Sequence, residues 1–412
     1  MALLLFAALT LAAATVKQDG TILRSGGCDI DAPRQATLAA GTPLEVRSSI
    51  AESTGVCYRV TATVNGQQVI GNLPSQAIDG LETFDQARQM ASSGDSVQLT
   101  TAQVDGLRKA FAARMPSGSR YQQASALIER NEAARALELL TIEAAGNPQN
   151  PDVLVLAGVA AWKADQPKLA LEHWRKSNTM RPNVEVALLI SRVERELQHD
   201  RSGDKTTGLR AVLRYEGQSI PYGTARTIVE AIDSDMVRLG TLLGCTFPER
   251  LTAIVQSPEA YRQGANAAEW SGGQFDGRIR IPFAPGSTVD AHLRQTLTHE
   301  VTHACLFNLG SYPSWLHEGL AQKLSGQSMA PAMRDSLRDM ASRKELPRLE
   351  NMGRDWSGLS TRHARIAYAL ALAAADELMA GPAASVGIQS ILRNPDTLAR
   401  ITKDLNQRLG LN

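Results

Sequence analysis

The sequence predicts a multidomain α+β chain: a small N-terminal β section, an α-helical repeat section and a C-terminal domain that mixes strands with long helices. Three observations predict it. Near the N-terminus, short runs such as "VCYRVTATV" alternate between polar and apolar residues, the period of a half-buried strand. In the middle, an Ala-Leu pair and a proline each recur 34 positions later within helical patterns. Towards the C-terminus, alternating runs are interleaved with amphipathic stretches of helical length. The chain has 412 residues, room for roughly two to four domains. It is 43% hydrophobic and 21% charged, enough to bury a core. Its formal net charge is +1 with no long charge run, which leaves no electrostatic footprint for nucleic acid.

The first residues, "MALLLFAALTLAAATVKQDG", are an apolar run followed by polar chain. The run from Ala2 to Ala14 falls short of the about 20 residues that span a bilayer. Residues 1–15 read as a signal-peptide-like segment, with Ala12, Ala13 and Ala14 as a small-residue cleavage site, although the usual basic start is missing. A buried N-terminal helix is the alternative. No later stretch is apolar enough for a membrane span. The export reading makes the protein periplasmic or secreted, where disulfides are permitted. Cys28 and Cys57 lie in one small region and suit a pair. Cys245 and Cys305 could pair, or Cys305 could be a buried helix residue. No CxxC occurs, so a cysteine-based zinc site is not indicated.

Over residues 16–80 the runs "TPLEVRSSI", "VCYRVTATV" and "QQVIGNL" read as strands, with Asn65-Gly66 as a hairpin turn. The stretch "CYRVTATVNGQQVIGNLPSQAI" resembles the end of bacterial Src-homology-3-like domains. That resemblance implies a small β barrel that binds or spaces. Residues 81–119 turn polar and Ala/Ser-rich and read as a linker with some helix. In residues 120–198, Ala136-Leu137 recurs as Ala170-Leu171 and Pro148 recurs as Pro182. This resembles two tetratricopeptide repeats plus a capping helix ending near Leu197, with an ordinary helical bundle as the alternative. Stacked repeats would offer a concave face to a protein partner.

"HDRSGDKTTG" is a polar break, which puts the last domain at residues 209–412. "LRAVLRYEG" reads as its first strand, "YGTARTIVEAIDSDMVRLGTLLG" as a long helix capped by Gly244, and "RLTAIVQS" as the next strand. In "DGRIRIPF", Ile279 and Ile281 alternate on one face, the pattern of a half-buried or edge strand. The following helix has a Ser-x-x-Asp start signal at Ser287 and Asp290, and Gly310 is its stop. Leu293, Leu297, Val301 and Cys305 recur every four residues and give it an apolar stripe.

That helix carries His299, Glu300 and His303. Two histidines four apart share one helix face and can share one ion, while Glu300 can reach a water on that ion without binding it. A catalytic zinc takes three protein ligands and a water, so a third ligand is required. Gly310 and Pro313 break the helix, Ser314 can cap a second one, and Glu318 falls in its first turns. Trp315, Leu316 and Leu320 can pack this second helix on the core, and Gly319 allows close approach.

"HEVTH", fourteen residues and then "WLHEGLA" resembles the gluzincin branch of zinc metallopeptidases, especially the peptidase-MA-like domains of bacterial proteins. The Gly-rich "EWSGGQFDGRIRIPF" resembles the turn and edge strand that precede the metal helix there. The resemblance covers the chain from about Leu209 to its end. It implies a zincin-like α+β domain, one Zn2+ per chain on His299, His303 and Glu318, and Glu300 as general base. It also raises Tyr368, on a later helix, as an oxyanion donor, against a buried core tyrosine. His317 reads as a surface or rim residue, His363 as solvated, and His292 as too far along the helix to reach the same ion. The expected function is peptide-bond hydrolysis by an exported zinc enzyme acting on a peptide or protein. The other readings are a periplasmic scaffold with a structural or inactive zinc domain, and a zinc hydrolase of non-peptide substrates. The proposed peptide-binding mode is strand addition along "DGRIRIPF".

Overall fold

The computed structural model describes residues 14–25, 28, 31–52, 55–81, 101–116, 118–265, 273–352, 356 and 361–411. The chain is mixed α+β, with 57% helix and 16% strand. Residues 1–13 of the expected leader and the part of the linker at 82–100 lie outside the described residues, whereas Ala14 and Thr15, the last two positions of the expected leader, belong to the N-terminal section: Ala14 is buried in its core and Thr15 starts its first strand.

The N-terminal section holds β1 (Thr15–Val16), β2 (Thr21–Arg24), β3 (Arg34–Leu38), β4 (Leu44–Glu52), β5 (Gly55–Val64), β6 (Gln67–Pro74) and β7 (Ile78–Asp79). Five of these form an antiparallel sheet in the order β3-β2-β6-β5-β4, and β1 pairs with β7. Asn65 and Gly66 both take positive φ, 50° and 78°, so they close the β5–β6 hairpin with Val64 opposite Gln67. Leu23, Tyr58, Val60 and Leu73 form the core. Cys28 and Cys57 are joined, with Cα atoms 5.6 Å apart.

Six helices follow: α1 (Thr101–Ala112), α2 (Arg120–Glu129), α3 (Ala133–Gly146), α4 (Pro151–Lys163), α5 (Pro167–Met180) and α6 (Val184–His199). The helix expected in the linker is α1, and it belongs to this bundle: Val104, Leu107 and Phe111 are buried in the same core as α2–α6. The 34-residue period is present in the backbone, because the turns at Asn131 and Asp165 both have positive φ. Ala136 and Ala170 are fully buried where helices approach. Gly158 faces the Trp174 indole so closely that a Cβ would sit 2.2 Å from its Nε1.

The C-terminal section contains β8 (Asp204–Thr207), β9 (Ala211–Tyr215), α7 (Tyr222–Leu243), β10 (Leu251–Gln256), α8 (Pro258–Ala265), β11 (Gln274–Phe275) and β12 (Ile279–Pro282). The helices α9 (Ala291–Leu309), α10 (Ser314–Leu324), α11 (Pro331–Ser342), α12 (Thr361–Ala380), α13 (Ile388–Arg393) and α14 (Pro395–Arg408) complete it. The sheet order is β11-β12-β10-β9-β8. Its three central strands are parallel, and β8 and β11 are antiparallel edges. Two expectations change here. The polar break before residue 209 contains β8, whose Thr206 is buried, so the sheet begins at Asp204. β12 is an interior strand, not an edge. Ile279 and Ile281 are buried on one face and Arg280 on the other, because Arg280 is neutralised by buried carboxylates. The edge is the two-residue β11.

Helix α7 ends at Gly244 in the left-handed conformation, as its sequence suggests. Its Ile228, Val229, Ile232, Met236 and Leu239 pack with the sheet and with Leu293, Leu297 and Val301 of α9. A second core joins Trp315, Leu316 and Leu320 of α10 to Leu370 and Ala371 of α12. No helix among the described residues is long and apolar enough to cross a membrane.

Candidate metal centre

Helix α9 is capped by Asp290, whose carboxylate accepts from the Leu293 backbone N–H at 2.8 Å. The start signal at Ser287 is therefore three residues early, since the acidic residue itself is the cap. The stripe Leu293, Leu297, Val301 and Cys305 is buried, and Cys305 is disulfide-bonded to Cys245 just beyond α7. One helix face is thus pinned to the core, and His299 and His303 project together from another. Their ring centroids are 4.8 Å apart and their Nε2 atoms 3.1 Å apart.

The chain breaks at Gly310 and restarts at α10 with Pro313 as the cap residue, so Ser314 lies inside the first turn instead of capping it. Trp315, Leu316 and Leu320 are buried as expected. Gly319 touches α12: a Cβ there would lie 2.3 Å from the Ala371 carbonyl oxygen. This close approach seats α10 and brings Glu318 to the histidines. Its Oε2 is 3.4 Å from His299 Nε2, and its Oε1 is 3.6 Å from His303 Nε2. One donor atom from each of the three residues lies within 4.8 Å of the other two.

These residues could hold a metal ion, and their spacing can be compared with that of a tetrahedral site. A tetrahedral ion with bonds of about 2.0–2.1 Å sets its donors about 3.3–3.4 Å apart. The observed spacings of 3.1, 3.4 and 3.6 Å bracket that value. Glu318 Oε2 is buried and has no hydrogen-bond partner; His299 Nε2 is close by but not aligned as a donor. A buried acceptor left in that state is costly unless a cation completes it.

Electrostatics separate the two carboxylates. Burial raises Glu318, but His303 and His299 outweigh it and hold the carboxyl at about 2. Glu300 is only 5% exposed. Burial pushes its carboxyl up to about 7; His299 lowers it by a smaller amount and Glu318 adds a smaller rise. Burial also drives His303 down to about 3, whereas on His299 the Glu318 carboxylate overcomes burial and raises it. One group is therefore a fixed anion and the other is poised near neutrality, the division that a ligand and a base require.

Gly273, quoted from sequence only as part of a Gly-rich turn, has a specific place here. A Cβ on it would come within 2.7 Å of Glu300 Oε1. Tyr368 lies half-buried on α12 with its ring edge-on to Trp356 at 5.2 Å. Its backbone carbonyl accepts from Gln322, one turn beyond Glu318 on α10. His317 is half-buried, with its ring 5.7 Å from that of His303 and 6.1 Å from that of Tyr312, and burial lowers its pKa. His363 is exposed. His292 is buried away from the trio beside Arg59, and burial followed by Arg59 pushes it down to about 4. No protein-family model matches the chain, and no curated protein matches it.

Proposed function

We propose that the protein is an exported zinc-dependent metallopeptidase of gluzincin type, with one Zn2+ per chain on His299, His303 and Glu318 and with Glu300 as general base. The observation that carries this reading is the convergence of those three donors from two helices beside a buried carboxyl poised near 7. Bound zinc supplies an activated water and polarises the substrate carbonyl. Glu300 takes the proton from the attacking water and delivers it to the leaving amine. Gly273 and the surrounding core keep bulk water from that carboxyl. Tyr368 is the proposed donor to the developing oxyanion. An extended peptide pairs along β11, an edge strand among the described residues, and not along β12, which has a neighbour on each side.

The finer architecture belongs to the same proposal. The N-terminal sheet is a small Src-homology-3-like barrel, α2–α6 are tetratricopeptide-like repeats that receive a protein partner, and the C-terminal section is zincin-like. The leader segment directs the protein to the periplasm or beyond.

The test combines elemental analysis with digestion of a mixed peptide library. The wild type is expected to hold one zinc per chain and cleave. Glu300→Gln keeps the zinc and loses about 10²- to 10⁴-fold in turnover. Glu318→Ala loses the metal. A wild type that takes up no zinc, or a Glu300→Gln protein that cleaves normally, overturns the proposal.

A further inference from the structure

Eight charged side chains meet where the helical section touches the C-terminal sheet. Asp165, Arg192, Glu196 and Asp200 come from the helical section and its end, and Arg214, Asp276, Arg278 and Arg280 from the sheet. Arg278 lies 2.9 Å from Glu196 Oε1, 3.0 Å from its Oε2 and 3.4 Å from Asp165, with its guanidinium 4.9 Å above the Trp162 ring. Arg280 lies 2.9 Å from Glu196 and 3.2 Å from Asp276. Arg192 reaches Asp276 at 2.8 Å, and Arg214 bonds Asp165 and Asp200. Glu196, Asp276, Arg278 and Arg280 are all at least nine-tenths buried. Four positive and four negative groups balance.

Burying such a cluster stabilises a protein no better than apolar packing of the same volume would. Its effect is geometric: each arginine fork accepts only one arrangement of its carboxylates. Those arginines flank the shortest strand of the sheet. Among the described residues β11 pairs through Gln274 with Arg280 and Phe275 with Ile279, a short ladder. Its turn is tied through Asp276, and the Phe275 ring rests edge-on against Phe307 of α9 at 5.5 Å. Gly273, directly before β11, lies so close to Glu300 that a Cβ on it would come within 2.7 Å of Oε1.

We infer that Glu196, with Arg278, Arg280 and Asp276, is a positioning device: the helical section clamps the β11–β12 hairpin, and the hairpin sets the Glu300 carboxyl through Gly273. The functional half of this inference rests on Glu300 being the base; the clamp itself does not. The helical section is then a fixed part of the catalytic unit and not a hinged arm. A base must be held to within about 0.5 Å, and a 1 Å misplacement costs about a hundredfold.

The experiment uses the full chain. In the zinc-free protein, Glu196→Gln is expected to speed amide hydrogen exchange in residues 275–281 by about tenfold or more, while residues 211–215 of β9 keep their protection. Arg192→Gln, at the rim of the cluster, gives a smaller change in the same amides and covers the case in which Glu196→Gln fails to fold. Glu196→Asp restores part of the protection. With zinc bound, Glu196→Gln and Gly273→Ala keep wild-type zinc affinity and KM and lose about 10- to 100-fold in kcat. Unchanged exchange in the hairpin, or a loss spread evenly over the sheet, overturns the clamp. Wild-type kcat in Gly273→Ala overturns the link to Glu300. If the wild type cleaves nothing, the peptidase reading fails and the exchange data still decide the clamp.

Discussion

Glu300 and Glu318 are carboxylates of the same type on successive helices, and the fold treats them oppositely. Glu318 is held ionised by two imidazoles, whereas Glu300 is buried against a glycine backbone and raised to about 7. Because the folded value of Glu300 lies above its ordinary 4.5, stability is greatest below that pH and is lost as pH rises through about 7. The shift corresponds to roughly 3 kcal/mol. Glu300→Gln cannot ionise, so in zinc-free protein its melting temperature should exceed wild type by a margin that widens between about pH 5 and pH 8. Thermal melts in chelator across that range check this. An equal margin at every pH would remove the buried carboxyl from the account. At this scale His299 and His303 were legible because helical spacing puts two residues four apart on one face, while Glu300 and Glu318 were singled out by the resemblance to gluzincins. Gly273 was not, since a glycine carries no chemistry and its importance comes from a carboxyl distant in sequence.

Between elements, the contact that assembles the site is α10 on α12. Gly319 permits it, and the alanine-rich α12 offers Ala371 and Ala375 as the opposing surface. Gly319→Ala puts a methyl against a backbone oxygen, which cannot move as a side chain would. The expected cost is about 1–3 kcal/mol in urea denaturation, together with weaker zinc binding because Glu318 shifts with its helix. Normal zinc affinity in that variant would mean that α10 is not seated by this contact. The helices, their glycine stops and the Leu293–Cys305 stripe were legible because they repeat over a few residues. The interior place of β12 and the strand β8 were not. Each depends on a partner strand or carboxylate that local pattern does not contain. Arg280 shows why: alternation of Ile and Arg reads as one wet face, and buried Glu196 and Asp276 make it dry.

Across the whole molecule, one covalent tie holds α9 and one ionic cluster holds the sheet. The Cys245–Cys305 bridge spans 60 residues and fastens α9 to the end of α7. Replacing both cysteines by serine is expected to cost about 4 kcal/mol, read by denaturant titration. A loss near zero would mean that the buried stripe alone anchors α9. The ion cluster ties the sheet to the helical section. Expressed alone from residue 204, the C-terminal section would carry Arg278 and Arg280 without Glu196 and Asp165. It should be insoluble or loosely folded, whereas the full chain folds; a soluble, zinc-binding fragment would show the cluster to be dispensable.

Local order in the chain was enough to set His299 and His303 on one helix face, to show the 34-residue helical period and to mark the hairpin at Asn65-Gly66; Glu318 as a partner of the two histidines came from the resemblance, because no period links it to their helix. Folding in space settled the rest: Cys305 as a disulfide partner, β11 as the edge, Gly273 against Glu300, and Arg278 against Glu196, 82 positions away. Periodicity reports which face of an element is apolar, but charge and sulfur partners at long range are chosen by how the elements pack, and that choice leaves no periodic trace.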